Sequence, residues 1–241
     1  MKRFTAGKKI LLGIIVLTLV LCVTAFSYFS DYCHASSQAL ELIQETETIE
    51  QGENYLAFVP KDYNAGVILY PGAKVESEAY APLLKELADR GIFAAVVYVP
   101  LHFALLDSNA AFKVMEEHPE VQNWYIGGHS LGGVAAGMLA GRYPERFQGI
   151  ILLASYVTSD LSKTELKALT LIGSNDGVIN REQYRKNRKN LPEETKEITI
   201  QGGNHAQFGS YGFQKGDNEA DITCEEQWEL SAEYILKLVV E

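Results

Sequence analysis

Gly127-Gly128-His129-Ser130-Leu131-Gly132-Gly133 is the stretch on which the reading of this chain turns. Residues 124–128 before the serine read as a strand. Residues 131–143 after it read as a helix that stops before Pro144. Gly128 to Gly132 follow the pattern G-x-S-x-G. A serine between a strand and a helix sits on a tight, strained turn, and only small neighbours avoid backbone clashes there. The turn lifts the Ser130 hydroxyl above the sheet, and the helix N-terminus behind it favours developing negative charge. The bland alternative is a glycine turn with an ordinary serine cap.

A serine hydroxyl needs a base, and the base needs an orienting acid. Of five histidines, His34, His102, His118 and His129 lie before or within the motif, and His205 alone follows it. His205 stands in Gly202-Gly203-Asn204-His205-Ala206-Gln207-Phe208-Gly209, a glycine-flanked loop beyond the last strand. Asp176, in Gly173-Ser174-Asn175-Asp176-Gly177, follows the strand at 168–172 and is the candidate acid; Asp160 is the reserve. A solvent-exposed loop histidine and a turn aspartate before glycine are the competing readings. The oxyanion of acyl transfer needs two amide donors. Leu131, directly after the serine, supplies one. The loop Pro71-Gly72-Ala73-Lys74-Val75-Glu76 supplies the other through Ala73.

Outward from these loops, short apolar runs alternate with helical patterns. Strands are predicted at 55–59, 65–70, 92–99, 124–128, 149–153, 168–172 and 197–200. Helices are predicted at 79–90, 110–117, 131–143, 181–190 and 224–240. The alternation implies an α/β fold, a mostly parallel central sheet with helices on both faces. Between the strands at 149–153 and 168–172 lie 14 residues, too few for a helical cap domain. The site is therefore expected to be open, with Lys74, Glu76, Tyr80, Tyr156 and Phe208 as candidate substrate-binding residues at its rim.

These elements resemble the α/β-hydrolase superfamily over roughly residues 55–240. Ser130, Asp176 and His205 match its nucleophile, acid and base in chain order. Within it the chain resembles the small cap-less group near dienelactone hydrolases, through the stretch from Pro71 to Glu76 and that from His205 to Asp217. Pro71 stands where the wider family often has a histidine before the oxyanion glycine. The backbone donor survives that change, and the resemblance gives no warrant for carrying over the substrate geometry of relatives. The resemblance implies a serine hydrolase of an ester, thioester or lactone, without metal or organic cofactor. A non-catalytic binding protein on the same fold and an acyl transferase are the rival readings.

Composition sets the context. With 47% hydrophobic and 22% charged residues the chain has enough apolar surface for a packed core, which excludes disorder, collagen and coiled coil. The net charge is −10; residues 1–35 carry +3, from Lys2, Arg3, Lys8 and Lys9 against Asp31, so residues 36–241 carry −10 − 3 = −13. So acidic a body disfavours nucleic acid as a partner. Cys22, Cys33 and Cys224 have no metal or C-x-x-C spacing, and free thiols are expected rather than a Cys33–Cys224 bridge.

Residues 10–30 are uncharged and mostly apolar, long enough as a helix for a bilayer core of about 30 Å. The preceding basic cluster holds the N-terminus in the cytoplasm. A signal anchor is favoured over a signal peptide cleaved at Cys33-His34-Ala35, because the run exceeds the usual apolar core of about 7–15 residues and the site is mediocre. The expected organisation is a membrane or signal segment at 1–35, a linker or loose helix at 36–52 and a catalytic domain at 53–241. That domain lies outside the cytoplasm, tethered or secreted. Its partners are a small acyl substrate and, through the N-terminal segment, the membrane.

Overall fold

The computed structural model describes residues 6–240, which fall into two units divided in sequence after Tyr32. In the first, α1 (Ala6–Ser30) runs for 25 residues, about 37 Å at 1.5 Å per residue. Its described leucine, isoleucine and valine side chains are exposed. A helix apolar all round and unburied is a candidate membrane span or signal segment.

The second unit, Cys33–Glu241, is built on one sheet. Its strands are β1 (Ile49–Gln51), β2 (Tyr55–Phe58), β3 (Ala65–Tyr70), β4 (Phe93–Val97), β5 (Asn123–His129), β6 (Gly149–Leu153), β7 (Lys167–Gly173) and β8 (Lys196–Ile200). They lie in the order β1-β2-β4-β3-β5-β6-β7-β8. The pairs β1/β2 and β2/β4 are antiparallel and the others parallel.

Alternation along the strands builds two cores. Val67, Leu69, Val96, Leu153 and Leu171 face α3 (Ala81–Ala88) and α7 (Cys224–Val240), whose Trp228 and Ile235 are buried among them. Ile68, Tyr70, Val97, Ile126 and Leu152 face the other way, toward α4 (Ala111–Glu117) and α5 (Leu131–Arg142). The chain passes from β3 to β4 on one side, then crosses to β5 on the other. The helices that follow β3 and β5 therefore leave to opposite faces, and a crevice opens at the carboxyl ends of these two strands.

The α/β architecture expected from the sequence is the one observed. Strand and helix edges differ by a few residues. Pro82 sits in the first turn of α3, so the stretch before it, Ser77–Tyr80, is a 3₁₀ turn rather than helix. The helix expected at 181–190 is α6 (Arg181–Asn187) closed by a 3₁₀ turn. No helix interrupts the connection between β6 and β7. The cysteines are free thiols.

One expectation is corrected. Residues 36–52, expected as a linker or loose helix, are part of the folded unit, and the helix among them is a packed one. Ser36 caps α2 (Ser37–Glu45) by accepting the Ala39 N–H at 3.2 Å, and Ala39 is fully buried. β1 then adds an edge strand beside β2.

Candidate active site

At the carboxyl end of β5 the backbone turns abruptly. Ser130 has φ 51° and ψ −120°, a region that side-chain-bearing residues rarely enter and that marks stored strain. Glycines make the turn possible. A Cβ on Gly128 would lie 2.3 Å from the Gly132 carbonyl carbon, and one on Gly133 would lie 2.4 Å from Ser155 Oγ. A Cβ on Gly132 would lie 2.2 Å from the Tyr70 carbonyl oxygen. That last contact is backbone on backbone and cannot yield by a rotamer change. Gly132→Ala should therefore destabilise the protein by about 3 kcal/mol or more, measurable by urea unfolding. A loss below ~1 kcal/mol would contradict this packing. The turn is also pinned from outside, since Ser130 N–H donates to Leu153 O at 2.9 Å and Ser155 Oγ donates to Ser130 O at 2.5 Å.

Asp176 and His205 meet where the loops after β7 and β8 converge. Asp176 Oδ2 lies 2.9 Å from His205 Nδ1, and Oδ1 accepts the Val178 and Ile179 N–H groups at 2.9 and 2.8 Å. Both side chains are buried. Burial by itself raises the Asp176 pKa, but His205 and the two amides outweigh it and hold the carboxyl below its usual range. An ionised Asp176 makes Nδ1 the donor, which leaves His205 Nε2 as the acceptor of the neutral ring. That nitrogen has no protein partner among the described residues. His205 and Ser130 line one cavity of about 190 Å³, walled by Leu131, Val134, Tyr156, Val178 and Ile179. Asp160 lies elsewhere. It is exposed and accepts the N–H and Oγ–H of its own neighbour Ser162.

Leu131 is the first residue of α5, so its amide lies outside the intrahelical ladder. The loop after β3 comes alongside, because the carbonyls of Tyr70 and Pro71 abut Gly132. Ala73 follows on that loop, half-buried. Lys74 takes a left-handed turn at φ 59° and donates its N–H to His102 O at 2.8 Å.

Of the five expected rim residues, Tyr156 alone lies among the cavity-lining residues. Tyr80 and Phe208 are fully buried. Tyr80 Oη accepts the Gly72 N–H at 2.8 Å and, its proton being free, donates to His129 Nδ1 at 2.8 Å. His129 is thus a neutral ring beside His205, with centroids 4.6 Å apart. Its pKa is pushed far down by burial and further by His205. Glu76 does not face the cavity either; its carboxylate lies against His34 and Ala35.

Asp217 is not singled out as a site residue by the sequence. This buried carboxylate accepts the Gly177 and Asn218 N–H groups on Oδ1, each at 3.0 Å, and the Ala206 N–H on Oδ2 at 2.8 Å. It thereby joins the residue after Asp176 to the residue after His205. An aspartate in an irregular, glycine-rich stretch carries no periodic or motif signal that would single it out.

Residues 66–229 match the profile of the alpha/beta hydrolase family. A search of curated proteins found no match. Among solved structures, Est1E from Butyrivibrio proteoclasticus with ferulic acid bound superposes with a TM-score of 0.60 at 15% identity, over 78% of this chain and 96% of that one. Carboxylesterase CesB (YbfK) from Bacillus subtilis gives 0.60 at 13% identity, over 83% and 94%. A predicted CIB-like hydrolase from Thermoplasma acidophilum gives 0.58 at 16% identity, over 79% and 97%. Identities this low show the shared fold.

Proposed function

The chain belongs to the alpha/beta hydrolase family, and from that premise we propose that it is a serine hydrolase of carboxylic esters, thioesters or lactones. The observation that carries the reading is the buried Asp176–His205 pair, with its free Nε2 on the same small cavity as the strained Ser130.

Ser130 Oγ attacks the acyl carbon while His205 Nε2 takes its proton. Asp176 holds Nδ1–H and stabilises the imidazolium. The amides of Leu131 and Ala73 receive the oxyanion. His205 then donates its proton to the leaving alcohol, thiol or ring oxygen. Water, activated by the same nitrogen, releases the acid and restores Ser130. In this reading α1 holds the domain at a membrane, on the far side from the cytoplasm, and the absence of a helix between β6 and β7 supports the resemblance to the small cap-less dienelactone hydrolases.

A fluorophosphonate probe should label Ser130 and no other serine, read by peptide mass spectrometry. The cavity is smaller than the ~300–1,000 Å³ of drug-sized sites. p-Nitrophenyl acetate and butyrate should therefore be cleaved with kcat/KM at least about tenfold above that of the dodecanoate. A reversed order would refute the short-acyl reading.

A further inference from the structure

The segment that follows α1 is built into the loop after β3. Cys33 N–H donates to Lys74 O at 2.7 Å, and Glu76 N–H donates to Cys33 O at 3.0 Å. Together they form an isolated parallel bridge between Cys33 and Val75. Glu76 closes over the next two residues. Its Oε2 accepts the Ala35 N–H at 2.7 Å, and its Oε1 lies 2.9 Å from His34 Nδ1. Partial burial raises the Glu76 pKa, but the Ala35 amide and His34 hold it below the usual carboxylate range. Ser36 completes the attachment with N–H to Ser210 O and Oγ to Ser210 Oγ, each at 2.7 Å.

The point of attachment matters. Lys74 holds a left-handed conformation that a lysine does not choose for itself. Its peptide groups are fixed on both sides, the N–H by His102 O and the carbonyl by Cys33 N–H. Ala73, whose amide is the second oxyanion donor in the proposed mechanism, immediately precedes that bend.

We propose that residues 33–36 are a strap that sets the oxyanion loop, with Glu76 as its positioning residue, and that the N-terminal segment therefore stays on the working enzyme. Cleavage after Ala35 would remove the Cys33 bridge and leave the Glu76 carboxylate with neither partner. A hydrolase that needs the strap is not processed there. This rests on the serine-hydrolase reading and decides between the anchor and the cleaved signal peptide that the sequence left open.

The test uses the full chain in detergent. Glu76→Ala should lower kcat about 10- to 100-fold with KM changed less than about threefold. Binding of a trifluoromethyl ketone, whose adduct needs the oxyanion donors, should weaken in parallel with kcat. Glu76→Gln keeps an acceptor for the Ala35 N–H and should restore part of the loss. It also serves if the alanine variant fails to fold. Unchanged kcat and ketone affinity in both variants overturns the strap while Ser130 still labels in the wild type. A wild type that neither labels nor hydrolyses overturns the hydrolase reading and the strap with it. Independently, the intact mass of the native protein should place its first residue upstream of Cys33, and a mature protein beginning at Ser36 overturns the proposal.

Discussion

Ser130→Ala should lower kcat on the order of 10⁴-fold or more while leaving the unfolding midpoint nearly unchanged. The methyl group fits where the hydroxymethyl stood, but nothing remains to attack the acyl carbon. A companion variant separates chemistry from strain. Ser130 holds φ 51° and ψ −120°, which costs about 1–3 kcal/mol for a residue with a Cβ. Glycine adopts that conformation freely but loses more entropy on folding, about 0.5–1 kcal/mol. Ser130→Gly should thus be as inactive as the alanine variant and more stable than wild type by roughly 1 kcal/mol. Retention of a tenth of wild-type turnover by either variant would sink the nucleophile assignment.

Asp176→Asn should lower kcat about 10³- to 10⁴-fold, whereas Asp160→Asn should leave it within about twofold. The reason is a matter of donors. Two backbone N–H groups, from Val178 and Ile179, already point at Oδ1. An asparagine must meet them with its carbonyl oxygen, which turns its NH₂ toward His205 Nδ1. The ring then carries its proton on Nε2 and cannot act as base toward Ser130. Asp160 is exposed, hydrogen-bonds only its neighbour Ser162 among the described residues, and does not line the cavity.

Stability supplies a second readout. The Asp176 carboxyl titrates below its ordinary range, because His205 and the amides prevail over burial. A carboxylate with a folded pKa below its unfolded value of about 3.9 stabilises the protein above that pH. The contribution is lost as pH falls through the folded pKa. The destabilisation caused by Asp176→Asn, about 1–3 kcal/mol, should be full between pH 5 and 7 and shrink below about pH 4. Urea unfolding at pH 7 and pH 3 measures both ends. A difference that grows toward acid would place the charge elsewhere.

The elbow and the order of the loops were legible because they depend on small residues at fixed spacing, and spacing is what a sequence displays. Gly128 and Gly132 are explained by contacts that admit no side chain. The buried strands were legible because both faces are covered, so they read as continuous apolar runs. α2 was legible only as the looser of two alternatives, linker or loose helix, because it packs by a narrow face. Ala39 is buried, Leu42 and Ile43 are partly so, and the remainder is polar apart from the exposed Leu40. The cavity wall was misjudged for a related reason. Tyr80 and Phe208 are aromatic residues near the motif, and their identity does not say whether a ring faces the substrate or the core. Val178 and Ile179, which do line the cavity, are ordinary apolar residues whose place is set by the Asp176 turn.

Asp217 also has a bearing on how the site breathes. One buried carboxylate collects amide protons from Gly177, Ala206 and Asn218, so none of the three can meet solvent unless that carboxylate swings away. Their hydrogen exchange should accordingly follow a single opening event, with closely matched protection at all three amides. The same event frees the loops of Asp176 and His205 together. The lifetime of the assembled Asp176–His205 pair, the dyad of the proposed mechanism, should then be the closed lifetime of the irregular segment around Asp217, which is not itself among the cavity-lining residues.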